Sequence, residues 1–384
     1  MSLQTMKPAA AILVFVLAAC SAGTTGAASP SPSSGQVAMA PPAASTGPAG
    51  TPFGSGVSCT EPVPMGDRLV LATLSGSDQT VVRDLGDLAQ ARTICTLGKV
   101  AQPRFVNGQT VSYWQPGAIV RVDLTSGKTD KVAETSATTV YPYSFAWSLD
   151  GSALSYVDIT DAGGAWYRAS WHLVTSTGNR RLATLPPFGG RGGSVQDDQY
   201  LGFSADGRYV AIETTVAVGG TGERAPLQVR RVDGTLAYSR DHASMAVWAG
   251  NALYFRDGSQ LYRWSPDGLT QLTLSPAGGF GDWFRPRTSP DGSRIVFYWL
   301  DSGWIAHVGV LDLARGVATP AGPAGRWEPV FANQNNIWYL GETACNTCLG
   351  SVNSTGKAYL FDIAGQTEAS SKITRLIDTW SRST

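Results

Sequence analysis

Apolar residues along this chain fall in short runs cut by turn residues, and the spacing of an amphipathic helix is almost absent. Arg294 to Trp299 (RIVFYW) is a β-branched and aromatic run that follows Ser289-Pro290-Asp291-Gly292. Proline presets φ, the Asp side chain bonds nearby backbone N–H groups, and glycine accepts positive φ. The stretch therefore predicts a tight turn and then a strand.

The same shape recurs. FAWSLDGSALSYVD (Phe145 to Asp158) and LGFSADGRYVAIET (Leu201 to Thr214) are close copies. PRFVNGQTVSYW (from Pro103), AVWAGNALYFRD (from Ala246) and PVFANQNNIWYLG (from Pro329) are degenerate ones. Aligning Phe105, Phe145, Phe203, Trp248, Thr288 and Phe331 gives steps near the roughly 40–45 residues of one propeller blade. The long step from Phe145 to Phe203 carries a Gly-rich insertion. A second strand pair follows each copy, so each unit has four strands, A to D. Trp264 to Gly268 (WSPDG) imitates a repeat start, but its spacing puts it in a C–D turn.

Asp67 to Gly98 reads as strands B, C and D with no A strand before them. The C-terminal TRLIDTWSRS (Thr374 to Ser383) ends one D strand and begins another A strand. If that last strand completes the first unit, the fold is an all-β propeller of seven four-stranded blades without free sheet edges. Six blades remain if it does not pair.

On these residues the chain resembles the TolB-like, WD40-like (PD40-repeat) bacterial β-propellers, whose repeat runs aromatic, Ser-Pro-Asp-Gly, then an Ile-Ala-Phe-like strand. Thr288 to Phe297 is near the full pattern, and the copies at Phe145 and Phe203 each depart at one turn position. The resemblance covers roughly residues 67–384. It implies a propeller and a habit of binding, with no fixed chemistry. TolB's extra N-terminal α/β domain has no room here, so TolB's partners do not carry over.

Lys7 precedes an apolar run, Ala9 to Val16, too short to span a bilayer, and then Leu17-Ala18-Ala19-Cys20. The last four residues resemble the bacterial lipobox. This implies a signal peptide over residues 1–19 and lipidation of Cys20, with an ordinary secretory signal as the alternative. From residue 20 to 58 the chain is almost wholly Ala, Ser, Thr, Gly and Pro and buries too little to fold, so it reads as a tether. The propeller then occupies 59–384. The expected location is the extracytoplasmic face of a bacterial membrane, held by a lipid anchor.

With Cys20 lipidated, Cys59, Cys95, Cys345 and Cys348 remain, an even number that suits disulfides in an exported protein. Cys59 with Cys95 would staple the start of the fold to a D strand, and Cys345 with Cys348 would bridge a loop. A redox pair or a zinc site is the alternative reading of Cys345-x-x-Cys348, with strands and glycine around it rather than a helix start.

Lysine plus arginine and aspartate plus glutamate both number 29, and no basic stripe speaks for nucleic acid. No Gly-x-Ser-x-Gly elbow is present. Ser126-Gly127-Lys128-Thr129 imitates the end of a phosphate loop but lies at a strand turn. His172 and His307 fall in C strands, and His242 precedes an A strand as the one plausible site histidine. A pectin-fragment lyase with related repeats uses a histidine-rich metal cluster, which these three scattered histidines do not reproduce. No metal, cofactor or catalytic residue is therefore expected.

In a propeller the D–A and B–C connections share one face. B–C is short at Gln115, Asp257 and Asp301, and long at Asp158–Arg168, Thr214–Pro226 and Gly341–Gly356. The D–A connections Pro186–Gln199 and Ser275–Trp283 are long as well. That face is the expected binding surface. Arg104, Tyr143, Tyr200, Arg285, Arg287 and Glu328 should rim the channel, with Trp283 and Trp327 nearby. Arginine beside tryptophan suits carboxylated or sugar ligands. The expectation is a non-catalytic envelope lipoprotein that binds an envelope protein or cell-wall component. The alternative is a carbohydrate-active enzyme or sugar-binding protein using the channel mouth.

Overall fold

In a computed structural model, residues 57–60, 69–74, 79–84, 92–136, 145–163, 166–189, 200–213, 226–272, 283–343 and 353–380 are described. These residues form strands and turns without a helix. The chain lays them down blade by blade. Blade 1 holds β1 (Ser58–Cys59), β2 (Leu69–Leu74), β3 (Thr80–Asp84) and β4 (Arg92–Gly98). Blade 2 holds β5 (Ala101–Asn107), β6 (Thr110–Gln115), β7 (Ala118–Asp123) and β8 (Thr129–Glu134). Blade 3 holds β9 (Phe145–Trp147), β10 (Leu154–Gly163), β11 (Trp166–Thr175) and β12 (Gly178–Gly189). Blade 4 holds β13 (Tyr200–Phe203), β14 (Tyr209–Glu213), β15 (Leu227–Arg231) and β16 (Leu236–Arg240). Blade 5 holds β17 (Ala243–Ala249), β18 (Ala252–Asp257), β19 (Gln260–Ser265) and β20 (Gly268–Leu272). Blade 6 holds β21 (Phe284–Thr288), β22 (Arg294–Leu300), β23 (Ala306–Asp312) and β24 (Val317–Pro320). Blade 7 holds β25 (Arg326–Phe331), β26 (Asn336–Thr343), β27 (Asn353–Asp362) and β28 (Thr367–Ser371). The last strand, β29 (Ile373–Trp380), pairs with β2 as the inner strand of blade 1. Seven blades thus close into one ring, and the six-blade alternative falls.

The recurring turn explains the repeat. Ser289 is buried; its Oγ donates to Asp291 Oδ1 at 2.6 Å and accepts the Arg294 N–H at 3.0 Å. Ser148 with Asp150 and Ser204 with Asp206 repeat this geometry at 2.7 Å. A buried hydroxyl so placed satisfies the first N–H of the returning strand, which would otherwise be orphaned. Gly292 sits at φ +70°, and a Cβ there would come within 2.9 Å of the Gly250 backbone nitrogen in the neighbouring blade. Positive φ and this close approach both select glycine.

The register corrects one alignment. Trp147 opposes Leu154 as Phe203 opposes Val210 and Thr288 opposes Ile295. Trp147, and not Phe145, is therefore the counterpart of Phe203. Phe145 instead fills the apolar layer between blades, with Trp114, Leu154 and Trp171. Similar layers lie between the other blades, such as Ile295 and Phe297 against Met245 and Val247. Each large side chain buried there contributes about 1.5–3 kcal/mol.

At the outer edge of blade 1, β1 pairs with β4, and Cys59 is bonded to Cys95 directly across the ladder. The disulfide expected from the sequence is present. Cys20, Cys345 and Cys348 lie outside the described residues.

Blade 3 departs from its neighbours. The Asp158–Arg168 stretch, expected as a long loop, is mostly ladder, paired from Asp158↔Ser170 to Gly163↔Trp166. With β12 alongside, three strands of 10, 10 and 12 residues stand against five residues in each of β14, β15 and β16. Five to seven extra residues at about 3.4 Å each raise a tongue of roughly 15–25 Å on the B–C face.

Candidate functional site

The inner strands share a local distortion. Gln102, Met245, Arg285 and Glu328 all have positive φ, between 45° and 57°, and each sits where its ladder skips residues. In blades 2, 6 and 7 the next residue is Pro103, Pro286 or Pro329. Proline offers no N–H and so sits without loss where the ladder is interrupted, while blade 5 keeps the same bulge with Ala246 in that place. The bulge displaces the strand locally.

Side chains of one blade hold the bulge of the next. Glu213, 1% exposed at the end of β14, accepts the Met245 N–H at 2.9 Å and the Ala246 N–H at 2.7 Å. Asp378 of β29 accepts the Phe105 N–H of blade 2 at 2.8 Å and its neighbour Thr379 N–H at 3.0 Å. Burial pushes the Asp378 pKa up, against the pull of Arg104, these N–H bonds and Arg287. Tyr200 folds back over Gly202, where a Cβ would collide with the phenol. Its hydroxyl accepts the Trp248 N–H at 3.0 Å, and burial pushes its pKa up to about 12.

Arg104, Arg287 and Asp378 occupy the same rung, opposite Ser112, Val296 and Leu71 of their second strands. The other blades place Ala146, Gly202, Val247 and Val330 there. Both arginines fold alike, Nη1 donating to the carbonyl of the preceding proline at 3.1 Å in Arg104 and 3.0 Å in Arg287. Solvent reaches Arg287, yet protein surrounds it. Desolvation, then Arg104 and Arg285, lower its pKa to about 10. Arg285 pairs across the blade boundary with Glu328.

The residues expected at the rim therefore divide. Arg104, Tyr200, Arg285, Arg287 and Glu328 come together at the channel. Trp283 is packed in the layer between blades 5 and 6, against Phe297 at 5.6 Å, with its Nε1 lacking a hydrogen-bond partner among the described residues. Trp327 Nε1 is likewise buried without a partner among the described residues. His242 is exposed in the turn before β17 at φ +62°. Tyr143 and most of the long connections lie outside the described residues. His172 stacks on Tyr156 and His307 on Trp299, both in C strands. Sequence reasoning missed Glu213 and Asp378. Superposing IDTWS of the closing strand on PRTSP and PRFVN would have flagged Asp378. Glu213 carries only the weak signal of an acid ending the apolar run YVAI.

The channel cluster offers guanidinium, phenol and carboxylate groups at close quarters, a setting for non-covalent recognition of a polar ligand. No family model matches the chain, and no curated protein matches it. Among solved structures, oligogalacturonate lyase from Vibrio parahaemolyticus is similar at TM-score 0.50 and 10% identity, over 80% of this chain and 85% of that one. A prolyl endopeptidase structure is similar at TM-score 0.52 and 12% identity, over 83% of this chain and 50% of that one. A putative TolB from Agrobacterium tumefaciens, at 18% identity over 66% of this chain and 86% of that one, has a TM-score of 0.36, too low to carry weight. At these identities the likeness is one of fold.

Proposed function

We propose that the protein is a non-catalytic binding module of the bacterial cell envelope, anchored by lipid at Cys20, that engages a protein partner through its B–C and D–A face. The tongue of blade 3 carries this reading. Strand β9 pairs with β10 only from Leu154 to Tyr156. The inner edge of β10 beyond Tyr156 therefore has no ladder partner among the described strands. A raised sheet with an open edge on the face of the long connections offers a partner both side chains and backbone hydrogen bonds.

The test is crosslinking in cells of the intact chain and of a variant in which Ile159 to Ala169 is replaced by a two-residue turn. A defined protein captured by the first and lost from the second supports the reading, and equal capture by both refutes it. Labelling with a palmitate analogue, lost in Cys20→Ser, tests the anchor.

A further inference from the structure

The middle of the channel holds hydrogen-bond donors that the fold leaves unused. A guanidinium has five N–H groups. Arg104 and Arg287 each commit Nη1 to their own preceding carbonyl, and no carboxylate pairs with either among the described residues. The nearby acceptors are engaged elsewhere. Asp378 takes two backbone N–H groups, Glu328 pairs with Arg285, and Glu213 is turned to the bulge of blade 5. The Tyr200 hydroxyl accepts from Trp248 N–H and keeps its own hydrogen to donate.

These groups lie on one level of the ring. Arg104 on blade 2 and Arg287 on blade 6 lie three blades apart by the shorter way round, nearly opposite across the ring. Both stand on the same rung of their ladders. Arg287 is within electrostatic reach of Arg104, Arg285, Tyr200 and Asp378. Arg104 and Arg287 repel each other, and the single Asp378 carboxylate in reach of both offsets only part of that, so a bound anion would relieve the rest.

We infer that Arg104, Arg287 and the Tyr200 hydroxyl form a site in the central channel for a small ligand bearing a single carboxylate. The planar guanidinium fork matches a carboxylate edge in a bidentate pair. The Asp378 carboxylate on the same rung disfavours a doubly charged phosphate more than a singly charged carboxylate. The site is separate from the loop face of blade 3, so either can fail without the other.

Calorimetric titration of the purified full chain tests this with glucuronate, N-acetylalanine and inorganic phosphate, and with glucuronamide and N-acetylalaninamide as uncharged counterparts. The expected result is saturable binding of at least one carboxylate, weakened by salt, with its amide bound at least about tenfold more weakly. Glucuronate against N-acetylalanine separates an acidic sugar from a peptide-like source. Arg104→Met and Arg287→Met each weaken binding about ten- to a hundredfold, Arg287→Lys less so, and Arg315→Met on the outer turn of blade 6 leaves it unchanged. If a Met variant fails to fold by circular dichroism, line broadening of the carboxylate 13C resonance on the unaltered protein, reversed by excess chloride, takes its place. No saturable carboxylate binding, tighter binding of phosphate, or binding that survives in a folded Arg104→Met/Arg287→Met double variant would overturn the inference.

Discussion

Glu213 provides the sharpest test of how the blades are joined. Its carboxylate is 1% exposed and reaches from blade 4 to two backbone N–H groups of blade 5. Met245, the first donor, holds φ +57°, a conformation that a non-glycine residue adopts at a cost of about 1 kcal/mol or more. Glu213→Ala removes both acceptors and leaves two buried donors. At about 1–3 kcal/mol for each unsatisfied group, with some relaxation, the expected loss is about 3–5 kcal/mol. Glu213→Gln keeps one acceptor oxygen but turns an NH2 toward the other N–H, and should cost about half as much. Urea unfolding followed by tryptophan fluorescence gives the ranking, and amide exchange at Met245 and Ala246 locates the effect. An alanine variant within about 0.5 kcal/mol of the parent, with both amides still protected, would refute the clamp.

Further tests reach other parts of the fold. Cys59 and Cys95 are 36 residues apart, so Cys59→Ser should lower stability by about 3–4 kcal/mol on the chain-entropy model. A reductant should lower the urea midpoint of the parent alike, and no change on reduction would count against the bond. Gly292→Ala should cost more than Gly316→Ala, because both glycines have positive φ but only Gly292 has backbone within 2.9 Å of the added Cβ. Equal melting temperatures for the two variants would show that the blade contact at Gly250 is not tight. In acid, burial raises the pKa of Glu368, but bonds from Arg326 at 2.8 Å and Tyr339 at 2.7 Å hold it below its ordinary value. Asp291, raised by burial but lowered by Ser289, Ser293 and Gln334, is held at about 2. Both therefore contribute stability above the unfolded carboxylate pKa, and that stability is lost as pH falls from roughly 4 toward 2. Asp378, whose pKa is raised, runs the opposite way, so Glu368→Gln should flatten the acid limb while Asp378→Asn steepens it.

The ring was legible because the Ser-x-Asp-Gly turn is chemically strict. A buried hydroxyl, a capping carboxylate and a positive-φ glycine tolerate few replacements, so three copies survive in readable form at Ser148, Ser204 and Ser289. The need for a closing strand was legible for the converse reason: three strands without an inner partner demanded one. Its start was not, because Thr374 to Asp378, expected to end a D strand, belongs to β29. The register of blade 3 was not, because Phe145 and Trp147 are both aromatic and both apolar, and only pairing with Leu154 distinguishes them. The tongue was misread as a loop since its glycine and polar residues break the apolar pattern that marks a strand. Among the candidate site residues, proximity of Arg104, Arg285 and Arg287 followed from their place in the inner strands. The burial of Trp283 depends on Phe297 and could not be read from its neighbours in the chain.

The gathering of arginines follows from the edge problem that a propeller must solve. An inner strand has no ladder partner on its channel side, and its N–H groups need acceptors. Here the preceding blade supplies them: Asp378 for Phe105, Glu213 for Met245 and Ala246, and the Tyr200 oxygen for Trp248. Where proline follows the bulge, as in blades 2, 6 and 7, the chain lacks one such N–H and needs no acceptor for it. The fold thus engages the acceptors of the channel in its own closure and leaves donors over. Arg104 and Arg287 each come directly after one of those prolines, with only a local carbonyl to bond among the described residues. The same distortion that bends the inner strands therefore builds a channel that is rich in donors, and the ligand that completes it must bring acceptors.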